Sequence, residues 1–151
     1  MSRIVMRHDV IINKPAVEVF RFTSDTMNDH LWRSEVAKMD VKGDLALGTE
    51  MTEYATFFRF FHTEATTTIV KLDPPKQIVV ETKPGDVWLK CLREVESLGE
   101  SQSRYTYELS FDAQLLKQVT PILPPAFMVK LFYGAIIDNN MKKARRVIEA
   151  L

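Results

Sequence analysis

The order of the hydrophobic patterns constrains the fold more than any other feature of this chain. Residues Arg3 to Ile12 alternate between apolar and polar types, which predicts a strand. A short helical stretch follows from Pro15, then a long run of β-like sequence, and finally one strongly apolar helix. A curved sheet crossed by a single long helix leaves a space between the two. The sequence therefore predicts a container for a small molecule.

Turn residues divide the β-like region. Thr49 to Asp73 is rich in Thr, Tyr and Phe, and we expect two strands there, separated near Phe57 to Phe61. A turn at Pro74-Pro75 precedes a further predicted strand at Gln77 to Thr82. The closing helix is predicted from near Pro125 almost to the end of the chain. Its apolar face is expected to hold Leu131, Gly134, Ile137, Met141, Ala144, Ile148 and Leu151.

Length, charge and cysteine content narrow the class of protein. The 151 residues predict a single domain over 1–151, and twenty basic residues balance twenty acidic ones. This balance favours neither nucleic acid nor an anionic membrane as a partner. One cysteine, Cys91, excludes an internal disulfide and suggests the cytoplasm. The apolar stretch from Pro121 to Ile137 has a helical part of about 13 residues, short of the ~20 that span a bilayer, so no stable membrane insertion is expected.

Four groups of residues, taken in order, suggest a family. They are the opening Ile12 to Phe20 with its Pro15, the set Asp25, Asn28 and Trp32, then Gly48, and the turn from Leu72 to Lys76. Together they resemble the SRPBCC superfamily, which includes START, birch-pollen-allergen-like and polyketide cyclase/dehydrase-like proteins.

The resemblance implies an α+β, helix-grip fold. In that fold a seven-stranded curved antiparallel sheet surrounds a long C-terminal helix, and two short helices follow strand 1. The segment Asp112 to Pro125 departs from the pattern because it is longer than the expected connection. We interpret it as a lid or rim over the mouth of the pocket.

The alternation of the outer strands nominates the residues that line the cavity. Pockets are mostly apolar with a few polar groups, and His8, Tyr105 and Tyr107 suit the polar role. The alternative is that the tyrosines are ordinary core residues. Asp138 either pairs across the cavity or lies solvated on the helix edge. The predicted lining comprises Met6, His8, Val10, Tyr105, Tyr107, Leu109, Phe111, Phe127, Leu131, Ala135 and Asp138.

His62 and Glu64 form a possible acid/base pair because they lie two residues apart on one strand face. With His8 they could also begin a metal site. Strand alternation produces such pairs by chance, and one face of this sheet is solvated. No HxxxH or CxxC motif occurs, so we expect neither a metal nor a cofactor.

Phe57 to Phe61 is the densest aromatic cluster of the chain. A strand buries only one of its faces, so either Phe58 and Phe60 or Phe57 and Phe61 face outward. Exposed aromatics of this kind mark a contact surface, such as a homodimer interface or a flap at the pocket mouth. The alternative is that the segment crosses from one sheet edge to another. Trp32 is expected to be a structural plug beneath the two short helices.

Three functions remain open. The preferred interpretation is a carrier or sensor for an apolar or aromatic small molecule. The second is an enzyme of the polyketide cyclase/dehydratase type, in which Tyr and His would polarise a ketone and move a proton. The third is a protein-interaction module whose pocket has collapsed. A roomy cavity with a buried Tyr–His or His–carboxylate contact would favour the enzyme, and a cavity with only hydroxyl groups would favour the carrier.

Overall fold

The computed structural model describes residues 3–151 and contains one seven-stranded antiparallel sheet. The strands lie in the order β1-β7-β6-β5-β4-β3-β2 across that sheet. Two α-helices and two 3-10 helices complete the fold. The strands are β1 (Arg3–Ile12), β2 (Val36–Val41), β3 (Glu50–Phe57), β4 (Phe61–Asp73), β5 (Gln77–Thr82), β6 (Leu89–Gly99) and β7 (Gln102–Asp112). The helices are α1 (Ala16–Ser24) and α2 (Ala126–Glu149), with 3-10 turns at Thr26–Leu31 and Ala113–Gln118.

This arrangement confirms the predicted α+β, helix-grip architecture. The alternation of β1 is also confirmed, because Ile4, Met6 and Ile12 are buried while Arg3, Val5 and Arg7 are exposed. The split of Thr49 to Asp73 into two strands occurs where it was predicted. Among residues 3–151, no helix is long and apolar enough to cross a membrane.

Pairing between strands brings inward-facing side chains into rows across the sheet. Tyr107 of β7 lies between His8 of β1 and Arg93 of β6. One step along, Leu109 lies between Met6 and Cys91. Because side chains alternate with period two, each row faces the same side of the sheet. This register places the cationic side chain of Arg93 on the concave face, next to Tyr107.

The turn between β3 and β4 adopts an unusual backbone. Phe57 pairs with Phe61, and the Phe60 amide donates to the Phe57 carbonyl at 3.3 Å. Phe58 and Arg59 both have positive φ, at 53° and 66°. Turns of this shape favour Asn-Gly, because residues with a bulky Cβ rarely adopt positive φ.

Helix α2 packs against β1 with its second half deeply buried. Ile137, Met141, Ala144 and Ile148 are each at most 2% exposed, as the apolar stripe predicted. Leu131, however, is 65% exposed, so its predicted burial is wrong. The first half of the helix is apolar on every side, and such a pattern does not determine which face is buried. Leu151 follows the helix and is also exposed.

Candidate ligand-binding cavity

A cavity lies between the concave face of the sheet and the first half of α2. It has an outer chamber of about 410 Å³ and an inner chamber of about 60 Å³. The collapsed pocket of the interaction-module alternative is therefore not observed. The two chambers adjoin, because the same five residues line both: Glu53, Ala65, Leu89, Leu109 and Tyr133.

The outer chamber is largely apolar. The β3–β4 hairpin supplies Phe57, Phe58 and Phe61, and the Phe57 ring lies 5.5 Å from that of Tyr133. The segment between β7 and α2 forms another wall, which fits the predicted rim. Its lining residues are Leu115, Leu116, Gln118, Val119, Thr120 and Pro124. Helix α2 contributes Met128, Val129, Phe132, Tyr133 and Ile136.

The inner chamber has mostly apolar walls, but four charged residues also line it: Asp29, Arg33, Glu53 and Arg93. Arg93 donates from Nη1 to Asp29 Oδ1 at 2.8 Å and from Nη2 to Asp29 Oδ2 at 2.6 Å. It also donates to the Thr23 carbonyl at 2.8 Å. Arg33 donates to Asp29 Oδ2 at 3.0 Å and to Glu53. Since buried charges are stable only when paired and hydrogen-bonded, these residues form one interdependent network.

Glu35 connects this network to α2. Its carboxylate accepts from Asn140 Nδ2 at 2.7 Å and from the Tyr133 hydroxyl at 3.3 Å. Arg33 Nη2 lies 3.4 Å from the same carboxylate. Asn140 Oδ1 in turn accepts from the Ser34 amide and hydroxyl, each at 3.1 Å. The long helix is thus held over the sheet by directional polar contacts as well as by apolar packing.

Burial and charge shift the pKa values of these groups. Burial raises the pKa of Asp29, but Arg93 and Arg33 outweigh it, so the net pKa is lowered. Burial raises the pKa of Tyr107 and of Tyr133 well above the ordinary value for tyrosine. Both phenols therefore stay protonated at neutral pH, and the Tyr133 hydroxyl donates its hydrogen bond to Glu35.

Two sequence patterns point to this network, although none of its charged residues was included in the predicted cavity lining. Arg93 follows the alternation of Cys91 and Val95, so its side chain had to face the same side as theirs. Asp29 and Arg33 are four residues apart, a spacing that brings side chains together on a helical turn. Because charged residues are rarely buried, neither pattern by itself predicts a buried network.

Three of the predicted lining residues border the cavity. Tyr107 lines the inner chamber, Phe111 the outer chamber, and Leu109 both. Their contact with a ligand stays a prediction.

The other residues predicted on the two strands face inward but do not line either chamber. Met6 is part of the core, and Val10 packs against that core. His8 lies against α2, since a Cβ placed on Gly134 would be 3.7 Å from His8 Nε2. Tyr105 is fully buried beside Trp32, with ring centroids 5.9 Å apart.

The four residues predicted on α2 do not line the cavity. Phe127 and Leu131 are 71% and 65% exposed, and Ala135 is exposed too. Asp138 forms a solvated ion pair with Lys142 at 3.1 Å, which agrees with the helix-edge alternative. The predicted face is wrong because the helix is rotated so that Val129 and Tyr133 point inward.

The His62–Glu64 pair is not assembled. Both residues are exposed, and His62 Nδ1 lies 3.0 Å from Thr56 Oγ1. Within residues 3–151 no ion pair joins the two side chains. That part of the chain also holds no group of three or more His, Cys, Asp or Glu side chains that could bind a metal ion.

Comparisons with known proteins identify the fold. A START superfamily protein from Mycobacterium smegmatis superposes with a TM-score of 0.77 at 14% identity, covering 97% of this chain and 98% of that one. A protein from Thermobifida fusca superposes with a TM-score of 0.69 at 17% identity, covering 97% and 94%. A point mutant of Thalictrum norcoclaurine synthase, solved with a transition state analogue, superposes with a TM-score of 0.60 at 16% identity, covering 95% and 94%.

The chain therefore has the START-type, helix-grip fold. No family model and no curated protein matches the sequence significantly. At these identities the structural likeness establishes the fold alone, and function has to be argued from the cavity.

Proposed function

We propose that this chain is a carrier or sensor that binds an apolar or aromatic small molecule, acting as a single domain over residues 1–151. The outer chamber carries the proposal. Its volume of about 410 Å³ is within the range of small-molecule pockets, and most of its lining is aliphatic or aromatic. The START-like fold of the chain agrees with such a cargo.

The inner chamber supports a ligand with one polar end. Tyr107 and Tyr133 supply protonated hydroxyls, and the Arg33–Glu53 pair lies beside them. The arginines are already neutralised by Asp29, Glu35 and Glu53, so they do not favour a multiply charged anion. A planar apolar body with one or two hydroxyl or keto oxygens would fill the outer chamber and direct its oxygens inward.

Native mass spectrometry of the purified protein, followed by calorimetry, tests the proposal. We expect a co-purifying small molecule or micromolar binding of a flavonoid, aromatic ketone or fatty acid at one site, as is common for such pockets. Tight binding of a multiply charged anion that weakens steeply with salt would contradict it. The free, buried Cys91 agrees with a cytoplasmic location for this binding protein.

A second candidate is a cyclase/dehydratase-like enzyme. Tyr133 favours it, because this residue lines both chambers and its hydroxyl donates to the buried Glu35 carboxylate. Donation to a substrate carbonyl would require the Tyr133 hydroxyl to exchange its hydrogen bond to Glu35 for one to the substrate. The norcoclaurine synthase structure with a transition state analogue shows that this fold can accommodate catalysis. On the other hand, no histidine lines either chamber in the described chain.

The Tyr133→Phe variant separates the two candidates. A carrier would lose only the small contribution of one neutral hydrogen bond, about 0.5–1.5 kcal/mol in ligand affinity. An enzyme would keep binding but lose conversion of its ligand. Mass spectrometry of the bound molecule before and after incubation measures conversion, for instance as loss of water.

A further inference from the structure

The mouth of the outer chamber is surrounded by exposed apolar side chains. On the β3–β4 hairpin, Phe58 and Phe60 are 68% and 80% exposed. On the other side, Ile122, Phe127 and Phe132 are exposed beside residues that line the chamber. Exposed apolar patches of this kind mark a binding surface. We call these two sides together the mouth rim, residues 57–61 and 113–133.

The charged residues of the mouth rim all have the same sign. Arg59 occupies the tip of the hairpin, and Lys117 and Lys130 are exposed on the opposite side. The two ranges contain no Asp or Glu, although the whole chain has a net charge of zero. Glu53 and the exposed Glu64 line the outer chamber further down the hairpin strands, outside both ranges. The rim is therefore a local cationic surface on a neutral protein.

The hairpin tip retains residues that its backbone disfavours. Phe58 and Arg59 occupy the two positive-φ positions, where Asn and Gly would be less strained. Strain of this kind persists where the side chains have a role outside the fold. Here the strained turn projects one aromatic ring and one guanidinium from the rim of the cavity.

We propose that the mouth rim docks on the surface of an anionic lipid bilayer. Aromatic side chains interleaved with Lys and Arg suit the interface, where rings enter the headgroup region and cations meet anionic lipids. Docking in this orientation would place the cavity mouth against the bilayer. It needs no spanning helix, and so agrees with the expectation of no stable insertion.

A second copy of the chain fits the rim less well. In a two-fold symmetric dimer the same patch lies on both sides of the interface. Arg59, Lys117 and Lys130 would then face the same cationic patch of the second copy, with no carboxylate within the rim to neutralise them. Self-association through this surface is an outcome that the experiment distinguishes.

Vesicle co-sedimentation tests the proposal with the full chain. We expect binding to vesicles of phosphatidylcholine and phosphatidylglycerol in equal parts, weakened by salt, and much weaker binding to phosphatidylcholine alone. The variants Phe60→Ser and Arg59→Glu should each weaken binding, the latter roughly thirtyfold because it changes the surface charge by two units. Neither position lines the cavity.

The double variant Phe58→Asn/Arg59→Gly separates folding from docking. It supplies the residues that the turn prefers, so thermal stability should be kept or rise while vesicle binding falls. Two variants serve as controls and should bind normally. Leu47→Ser removes an exposed side chain at the opposite end of β3, and Arg145→Glu reverses an exposed charge in the last turns of α2.

Three results would overturn the proposal. The first is absence of binding to anionic vesicles. The second is binding that survives the rim variants but is lost in Arg145→Glu, which would assign docking to the basic end of α2. The third is a concentration-dependent dimer, measured by analytical ultracentrifugation, that Phe60→Ser dissociates while vesicles do not bind.

Discussion

Arg93 and Asp29, 64 residues apart in the sequence, form a bidentate pair that joins strand β6 to the first 3-10 helix. Both donor–acceptor distances are below 2.9 Å, and both side chains are at least nine-tenths buried. Arg33 donates to the same carboxylate from the next turn of the chain. A single Asp thus holds two cations in the floor of the cavity.

Removing the Asp29 carboxylate should be strongly destabilising. In Asp29→Asn the two guanidinium groups remain buried with less compensation, and we expect a loss of about 3–5 kcal/mol in the free energy of unfolding. Urea denaturation of both proteins measures this loss in the free energy of unfolding. The matched control is Glu108→Gln, which breaks the more exposed pair with Arg7 and should cost no more than about 1 kcal/mol. Equal effects for the two variants would contradict the proposed role of the network.

The Asp29 carboxylate should make the free energy of unfolding depend on pH in the acid range. The pKa of Asp29 is lowered in the folded protein, whereas an unfolded Asp titrates near ~3.9. The contribution of Asp29 to the free energy of unfolding is therefore fully present above the unfolded pKa. It is lost as the pH falls through the lower pKa of the folded protein. Urea denaturation at a series of acid pH values should show a steeper decline for the natural protein than for Asp29→Asn. Parallel curves would show that Asp29 is not the group responsible.

Gly134 offers a stabilising substitution at the contact between α2 and β1. A Cβ there would meet His8 at 3.7 Å, an ordinary contact distance, and Ala favours a helix over Gly by roughly 1 kcal/mol. Gly134→Ala should therefore raise the melting temperature. Gly48→Ala is the opposite case, since Gly48 has φ of +86° and the added Cβ should cost about 1 kcal/mol. A lowered melting temperature for Gly134→Ala would mean that His8 lies closer to the helix.

The orientation of α2 can be measured by two aliphatic truncations. Ile137 is 2% exposed and Leu131 is 65% exposed. Ile137→Ala should cost about 2–5 kcal/mol, and Leu131→Ala should change stability by no more than about 0.5 kcal/mol. Chemical denaturation of both variants checks this. Equal costs for the two variants would support the face predicted from the sequence, which holds both residues, and would contradict this orientation.

Much of the fold could be predicted because local patterns and global structure agree. The alternation of β1 and the division of the aromatic stretch at Phe57 to Phe61 each have a direct local cause. The second half of α2 was also predictable, because polar residues there leave a single apolar stripe ending at Ile148.

The residues that line the cavity were harder to predict, because tertiary packing rather than the local sequence pattern determines which side chains face it. The apolar first half of α2 could equally have presented Leu131 or Tyr133 to the sheet. The buried charges are another example, since alternation turns Arg93 inward but only tertiary packing brings it to Asp29, 64 residues away. Balanced overall charge also concealed the cationic mouth rim, which forms only when two distant segments meet around the cavity.

Filling the outer chamber tests the central claim, that this cavity binds an apolar small molecule. The probe is N-phenyl-1-naphthylamine, a neutral aromatic dye whose fluorescence rises in apolar surroundings. Ile136 lines the chamber, so Ile136→Trp should abolish dye binding at a packing cost of about 1–3 kcal/mol. Leu131→Trp adds the same ring outside the chamber, and this control should bind one dye per chain as the natural protein does. Dye binding that is unchanged by Ile136→Trp, in a protein shown to be folded by circular dichroism, would contradict the account.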